Sequence, residues 1–324
     1  MSHLGRPKNG FEKRFSLSHI VKCLSDLLEI SVGFSGDCIG GNTRADISNM
    51  KNGDVLVLEN LRFYPEEESG DSAFAKQLAN LADVYVNDAF GAAHRAHAST
   101  AIIADYFPKE KYFGLLLSNE INSLKTALEK PKRPFTAIIG GAKITGKIDV
   151  ITSLFDKADV LIIGGGMAYT FAKAMGGNIG NSLVEEGKVE LAKSLIAAAK
   201  EKNIQLLLPV DSVNADCFNN DANVQNSKIT NVPAGFMGLD IGPESITQFS
   251  KAILDSKTIV WNGPMGVFEM ANFSNGTKKI GEAICRATEN GAFSLVGGGD
   301  SVAAIKKFGF ADKVSYISTG GGAM

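Results

Sequence analysis

The sequence has 324 residues but only four cysteines, one tryptophan and almost no net charge, with 33 basic and 35 acidic side chains. The cysteines are scattered and form no C-x-x-C pair, so neither a zinc site nor a disulfide framework is expected. Balanced charge argues against a duplex nucleic-acid binder, which normally carries a basic face. No apolar run approaches the roughly 18 residues that span a bilayer, and no signal-peptide pattern follows Met1. A soluble cytoplasmic protein is therefore expected, with neither membrane nor nucleic acid among its partners.

Short apolar segments alternate with helical patterns, which is typical of α/β proteins whose parallel sheets are covered by helices on both faces. The segment 118–134 has apolar residues at helical spacing and ends in a basic, proline-flanked turn, so it is predicted to be a linking helix. The expected divisions are a first domain (1–117), the linking helix and hinge (118–134) and a second domain (135–324). The predicted strands are 54–61, 83–90, 113–117, 135–141, 159–166, 204–211, 258–264, 293–300 and 314–322.

Glycines follow most strands of the second domain, in the blocks "GGAK", "GGGM", "WNGP", "GGGDS" and "STGGG". In an open parallel sheet, ligands bind at the carboxyl ends of the strands. Glycine allows the backbone to approach a ligand closely, and the helix that follows presents free N–H groups to an anion. One such turn is adequately explained by tight strand-to-helix packing. Several turns on one edge predict a phosphate site.

The segment 141–147 fits G-x-x-x-x-G-K, but Ile148 stands where a P-loop needs a hydroxyl for Mg²⁺. Apolar spacing around it predicts a helix that begins before Gly146. Such a helix would place Lys143 and Lys147 one turn apart on one face, where an anion between them would relieve their repulsion. Two solvated lysines are the plainer alternative.

A dinucleotide-binding fingerprint fits the second domain less well. The block "GGGMAYTF" at 164–171 supplies two glycines but has Tyr169 where the third is required. No acidic strand end follows at the spacing that would hold a ribose. A dehydrogenase is therefore disfavoured.

Basic side chains follow apolar runs or lie in glycine-containing loops of the first domain. Each of these side chains taken alone is typical of a solvated charge on the protein surface. Together they predict a cluster that binds a small, highly anionic ligand. The arginines are Arg6, Arg62 and Arg95, and the histidines that would assist them are His3, His94 and His97.

The blocks "LENLRFYPEEE", "VNDAFGAAHRAHAST", "RPFTAIIGGAK", "WNGPMGVFE", "GGGDS" and "STGGGA", in this order, closely resemble phosphoglycerate kinases from His3 to the last residue. The resemblance implies two Rossmann-like domains with parallel sheets, joined by a helix, in a monomer. It also implies reversible phosphoryl transfer between 1,3-bisphosphoglycerate and ADP, giving 3-phosphoglycerate and ATP in glycolysis. The first domain would hold the triose ligand, and the second Mg²⁺ with ADP or ATP.

The resemblance further assigns roles to single residues. Lys143 would accompany the phosphoryl group in transit, and Asp300 would lie nearest Mg²⁺. Backbone N–H groups of Gly320 and Gly321 would face the moving phosphoryl group. The implied triose ligands are His3, Leu4, Gly5, Arg6, Arg62 and Arg95. The implied nucleotide-binding residues are Lys147, Gly238, Asn262, Glu269, Gly298, Gly299, Asp300 and Ser301.

The sequence departs from the family pattern before "HLGRP". The family has there a strand ending in an R-V-D-x-N-V-P-like block and a further arginine that is regarded as its main catalytic one. Without that strand, a sheet edge is expected to be unpaired. The far end, "GGGAM", also stops where the family adds a short segment. The alternative to an active kinase is accordingly a nucleotide-binding fragment with little or no catalytic activity.

Overall fold

A computed structural model describes residues 1–8 and 10–321 of the chain. It divides into two compact units, the first from Met1 to Ser118 and the second from Asn119 onward. Within these described residues, no helix combines the length and apolar character needed to cross a membrane.

Unit 1 contains two short pairs of parallel strands, β1 with β2 and β3 with β4. Its core is formed by buried apolar side chains that include Phe74, Leu78 and Ile103. The helices and strands are α1 (Ser18–Leu28), β1 (Val32–Ser35), α2 (Gly41–Ser48), β2 (Val55–Leu58), α3 (Pro65–Ser69), α4 (Ser72–Ala79), β3 (Tyr85–Asn87) and β4 (Lys111–Phe113).

An apolar groove of about 360 Å³ is lined both by β2 and by residues of β3. Leu56 and Leu58 contribute from β2, and Tyr85 and Val86 from β3. The Val86 side chain is more than half exposed. Unit 1 therefore has two separate strand pairs with an apolar groove, rather than one continuous sheet.

The predicted strand at 113–117 is wrong. Strand β4 ends at Phe113, and helix α5 (Leu115–Leu128) begins two residues later. The Leu117 N–H donates to the Asp88 carboxylate at 2.8 Å, which supplies a partner for one of the free amides in the first turn of α5. A short leucine run does not by itself distinguish a strand from a buried helical turn.

Unit 2 is organised around a six-stranded parallel sheet in the order β13-β12-β11-β5-β6-β7, beside a three-stranded antiparallel sheet in the order β10-β8-β9. Its strands are β5 (Phe135–Ile139), β6 (Val160–Ile163), β7 (Gln205–Leu207), β8 (Asp211–Ala215), β9 (Val224–Lys228), β10 (Met237–Ile241), β11 (Thr258–Asn262), β12 (Phe293–Gly297) and β13 (Tyr316–Ile317). Its helices after α5 are α6 (Ile148–Leu154), α7 (Met167–Ala174), α8 (Val189–Glu201), α9 (Pro243–Leu254), α10 (Asn275–Glu289) and α11 (Gly299–Lys307).

Two hydrophobic clusters of unit 2 draw on the strands of the large sheet. One contains Phe135 and Phe171, and the other contains Phe249 and Trp261. The central strands β5, β6 and β11 are buried along their whole length, as expected for parallel strands between helical layers. The predicted α/β class is confirmed, whereas the antiparallel sheet and strand β1 were not predicted.

The predicted helix through Gly146 is wrong, because α6 begins only at Ile148. The Glu185 carboxylate accepts the N–H groups of Ile144 and Thr145, at 2.5 and 3.2 Å, and the Thr145 hydroxyl at 2.5 Å. These bonds hold the chain in a turn before the helix. The lysines on either side of that turn therefore do not share a helix face.

Candidate nucleotide and anion sites

A cavity of about 490 Å³ opens at the carboxyl edge of the large sheet in unit 2. Its size falls in the range of small-molecule sites. Loops after β5, β6, β11 and β12 reach it, together with strand β10. The residues that matter most for its chemistry are Gly141, Gly166, Gly238, Leu239, Glu269 and Asp300.

Glycine is required at two points of the cavity wall. Gly165 has φ +68°, and a Cβ there would lie 2.5 Å from the amide nitrogen of Gly141. A Cβ on Gly238 would lie 1.7 Å from the hydroxyl of Tyr169, which is buried beneath it. The glycines thus let the loops after β5 and β6 approach each other, and let β10 pass over the tyrosine.

Lys147 is brought to the end of β11, the neighbour of β5 in the sheet. Its Nζ atom donates to Oδ1 of Asn262 at 2.5 Å. Partial burial lowers the pKa of Lys147, whereas the nearby Asp300 carboxylate raises it. Lys147, half-buried beside the acidic Asp300, is thus suited to bind an anion that carries a metal ion.

Lys143 is exposed in the loop that follows β5. Partial burial acts to raise the pKa of Glu185, but hydrogen bonds from Thr145 and Ile144 together with the positive charge of Lys143 lower it overall. Glu185 therefore anchors the loop that carries Lys143. Sequence reasoning missed this role, because the two residues lie more than 40 positions apart.

The "GGGDS" turn forms the start of α11. Gly298 has φ +83° and lies against the Asn262 amide, where a Cβ would meet Oδ1 at 2.6 Å. Gly299 and the exposed Asp300 occupy the first turn, where free N–H groups and the helix dipole favour an anion. The Ser301 hydroxyl, in contrast, is buried and accepts the Gly263 N–H at 2.5 Å. It holds two loops together instead of lining the cavity.

The glycines after β13 differ in their environment. The N–H of Gly320 is buried and donates to the Ser318 hydroxyl at 3.1 Å, so it already has a partner. Gly321 is exposed with φ +53°. Of the two glycines predicted to contact the phosphoryl group, only Gly321 is therefore exposed.

In unit 1 the structure brings four residues of the predicted basic cluster close together, namely His3, Arg62, Arg95 and His97. Partial burial lowers the pKa of His3, and the positive neighbours Arg62, His97 and Arg95 lower it further, against the opposite effect of Glu68. Arg62 donates to the carbonyl of Gly5 at 3.0 Å and lies 3.4 Å from the Glu68 carboxylate. Neighbouring positive charges repel each other, and an anion bound among them would offset that repulsion. These residues are therefore electrostatically suited to bind an anion.

The remaining predicted triose ligands lie on the loop that carries His3. Arg6 is exposed, whereas the carbonyl of Leu4 accepts a hydrogen bond from within unit 1. Gly5 has φ +62°, and a Cβ there would lie 2.4 Å from the Phe15 ring. Glycine is therefore required for the loop to turn at this point.

Asn60 holds that loop in place. Its amide donates to the carbonyls of Leu4 and Phe15, at 2.8 and 2.9 Å, and its oxygen accepts the Arg62 N–H at 3.0 Å. The side chain is fully buried. The neighbouring Glu59 carboxylate accepts the N–H of Leu17 at 2.8 Å. The motif "ENLRF" thus supports the basic cluster through residues that sequence reasoning did not single out.

A parallel α/β sheet whose carboxyl edge carries a lysine, an acidic residue and a helix N-terminus beside a cavity is typical of proteins that bind phosphorylated ligands. The phosphoglycerate kinase family model matches residues 1–324. The phosphoglycerate kinase of Porphyromonas gingivalis is 53% identical and covers 100% of this chain and 83% of the relative. That of Chlorobaculum tepidum is also 53% identical and covers 100% and 81%.

Comparison with solved structures indicates the same family. Phosphoglycerate kinase from Coxiella burnetii superposes with a TM-score of 0.89 at 42% identity, covering 99% of this chain and 80% of that one. The enzyme from Pyrococcus horikoshii gives a TM-score of 0.80 at 29% identity, with the same coverage. The chain therefore belongs to the phosphoglycerate kinase family. Because the matches extend across both units, an enzyme is favoured over a non-catalytic fragment, and the predicted low rate stays a prediction.

Proposed function

We propose that the chain transfers a phosphoryl group reversibly between 1,3-bisphosphoglycerate and ADP, producing 3-phosphoglycerate and ATP as in glycolysis. The observation that carries this function most directly is the convergence of Lys147, Asn262 and Asp300 at one edge of the large sheet. Transfer between two anions needs both to be held in place and their charge to be neutralised, with little covalent work by the protein.

The cavity of unit 2 is the proposed nucleotide site. Gly238 and Leu239 supply a wall of backbone and apolar surface, which suits an adenine ring. Glu269, exposed at the rim, would accept from a ribose hydroxyl. The first turn of α11 would receive the phosphates through Gly298, Gly299 and the backbone of Ser301. The Ser301 hydroxyl takes no part, because it is bonded to Gly263.

The two lysines of the β5–α6 segment have different proposed tasks. Lys147, half-buried and already directed to the end of β11, would contact the nucleotide phosphates. Lys143, exposed in the loop that Glu185 anchors, would accompany the phosphoryl group. The N–H of Gly321 would assist at the same stage. Gly320 would contribute only after giving up its bond to Ser318.

Mg²⁺ is the proposed metal of the nucleotide. Within residues 1–8 and 10–321 there is no group of three or more metal-ligating side chains. Mg²⁺ is commonly bound through one or two carboxylates together with substrate phosphates and water, and the exposed Asp300 beside Lys147 fits that pattern. When bound, the metal would neutralise charge on the phosphate oxygens.

The basic cluster of unit 1 is the proposed triose-phosphate site. Arg62 and Arg95 would form paired hydrogen bonds with phosphate or carboxylate oxygens, and His3 would gain a proton as the anion binds. Arg6, with the backbone of Leu4 and Gly5, would complete the loop side of the site.

The proposed compartment is the cytoplasm and the proposed oligomeric state is a monomer. Relatives of similar identity include a chloroplastic phosphoglycerate kinase from Volvox carteri, so compartment does not follow from family. Cell fractionation tests the compartment, and light scattering of the purified chain tests the oligomeric state.

The function is tested by incubating the purified chain with ATP, Mg²⁺ and 3-phosphoglycerate, and coupling the acyl phosphate to a reporting dehydrogenase. ATP-dependent product that disappears when either substrate is omitted supports the proposal. ADP binding in a calorimeter without any turnover would instead support the nucleotide-binding fragment.

A further inference from the structure

Asp240, at the end of β10, is a buried carboxylate beside the nucleotide cavity, with only 3% of its surface exposed. We propose that Asp240 is a positioning residue for the nucleotide, which fixes β10, the loop 263–269 and the first turn of α10 in one arrangement. The inference rests on the proposed nucleotide function of this cavity. Asp240 itself belongs to the cavity wall, but because it is almost fully buried its proposed action is through the backbone that it holds rather than through a contact with the ligand.

The carboxylate caps helix α10 from another part of the chain. Its Oδ2 atom accepts the N–H of Gly276 at 2.7 Å, and Oδ1 accepts the N–H of Ile241 at 2.9 Å. Ser274, the residue before α10, makes no side-chain capping bond. A helix start has free N–H groups that need acceptors, and its dipole favours a negative charge there. Asp240 thus supplies the acceptor that the local sequence of α10 lacks.

Two glycines enclose the same oxygen. A Cβ built on Gly266 would lie 2.2 Å from Oδ1 of Asp240, and one built on Gly276 would lie 2.2 Å from it as well. Gly266 belongs to the loop after β11, and Gly276 to α10. Both segments therefore approach the carboxylate more closely than any larger residue would permit.

The three segments are bonded to each other around this point. The N–H of Val267 donates to the carbonyl of Leu239 at 2.9 Å, which joins the loop to β10. The Thr277 hydroxyl accepts the N–H groups of Met265 and Gly266, at 3.0 and 3.2 Å, which joins the loop to α10. A displacement of Asp240 would therefore be transmitted to the loop as well as to the strand.

These same segments form much of the cavity wall. Gly238 and Leu239 line it from β10, and Met265, Val267 and Glu269 line it from the loop. Burial raises the pKa of Asp240 to about 7, while the two N–H donors act in the opposite direction. Keeping a carboxylate in such surroundings is unfavourable unless its hydrogen bonds are made. Its bonds go to the backbone that shapes the cavity.

The test compares ADP binding by calorimetry in the wild type and in Asp240→Asn. The asparagine keeps the size of the side chain, but its amide nitrogen cannot accept an N–H, so one buried donor loses its partner. We expect ADP to bind roughly tenfold more weakly, which corresponds to about one chain in ten keeping the cavity wall in its binding arrangement. Binding of 3-phosphoglycerate to the same variant should stay within twofold of the wild type.

Gly266→Ala provides a second variant, since its methyl group would displace the carboxylate without removing it; the same weakening is expected. Asp159→Asn is the matched control. Its carboxylate accepts the Phe135 N–H at 2.7 Å, at the opposite end of the parallel strands, so the variant should be less stable to heat while its affinity for ADP is unchanged.

The outcomes separate the inference from the function on which it rests. A wild-type chain that fails to bind ADP would overturn the proposed nucleotide site itself. A wild type that binds, with Asp240→Asn and Gly266→Ala both folded and equal to it in affinity, would overturn the positioning role alone. An equal loss in Asp159→Asn would assign the effect to general destabilisation and would likewise overturn it.

Discussion

The ammonium group of Lys147 donates a hydrogen bond of 2.5 Å to Oδ1 of Asn262, so the residue just before α6 reaches the end of β11. Strands β5 and β11 are neighbours in the sheet, and Asp300 lies close enough to raise the pKa of the lysine. The amide oxygen of Asn262 thus accepts a hydrogen bond from Lys147 that a phosphate oxygen would otherwise accept. This pairing holds the ammonium group of Lys147 at the strand ends.

Lys147→Met should therefore weaken ADP binding by about tenfold to a hundredfold, because a charge-assisted hydrogen bond contributes about 1.5–3 kcal/mol. Calorimetry measures the change. Lys251→Met, on the exposed surface of α9, is the control and should bind as the wild type does. Equal affinity in Lys147→Met would mean that this lysine does not contact the nucleotide.

Asp300→Asn should abolish most of the gain in ADP affinity that Mg²⁺ provides. The variant removes the charged oxygen that suits a magnesium ion, but leaves the first turn of α11 intact. ADP without metal should bind at least as tightly as to the wild type, because a negative charge beside the phosphates is gone. Titrations with and without Mg²⁺ decide this, and an undiminished metal effect in Asp300→Asn would contradict the assignment.

Asn60→Ala should raise the KM for 3-phosphoglycerate and leave the affinity for ADP unchanged. The substitution deprives the half-buried carbonyls of Leu4 and Phe15 of their donor, which is expected to cost about 1 kcal/mol for each hydrogen bond lost. Chemical denaturation should detect that loss in unit 1. Asn52→Ala, in an exposed turn of the same unit, should change neither property, and an unaltered KM in Asn60→Ala would rule out the positioning role.

Binding of 3-phosphoglycerate should raise the pKa of His3. In the free chain, burial and the positive charges of Arg62, His97 and Arg95 lower it, so the imidazole loses its proton more readily than usual. An anion among these groups would offset their repulsion and favour the protonated ring. NMR titration of the histidine resonances with and without ligand measures the shift. The signal of His19, which is bonded to the carbonyl of Lys13, should not respond, and an unmoved His3 would contradict the proposed site.

The lowered pKa also fixes the sign of a pH effect on stability. Because the folded pKa of His3 lies below its unfolded value, protonation favours the unfolded chain. The contribution of His3 to stability is fully present above the unfolded pKa and is lost as the pH falls toward the folded one. His3→Gln should remove this part of the pH dependence of unfolding.

The amino-acid sequence alone determined the α/β class, and it predicted the sheet edge at which a ligand would bind. Continuous apolar runs such as "FTAII" and "TIVWN" are typical of buried parallel strands, and glycine-rich blocks after them predict where a ligand would approach. Ordered motifs such as "LENLRF" and "GGGDS" were enough to indicate the family. These features are local, so they can be read along the chain.

The tertiary structure decided what depends on residues distant in sequence. Periodicity placed the start of α6 before Gly146, but three hydrogen bonds to Glu185 delay it to Ile148. Ser301 is in the expected motif, yet its hydroxyl turns inward to Gly263. The proposed role of Asp240 could not be read from the sequence, because it arises only where three separate segments meet. Hydrogen bonds between distant positions select among conformations that local propensity leaves equally available, and only the folded chain contains them.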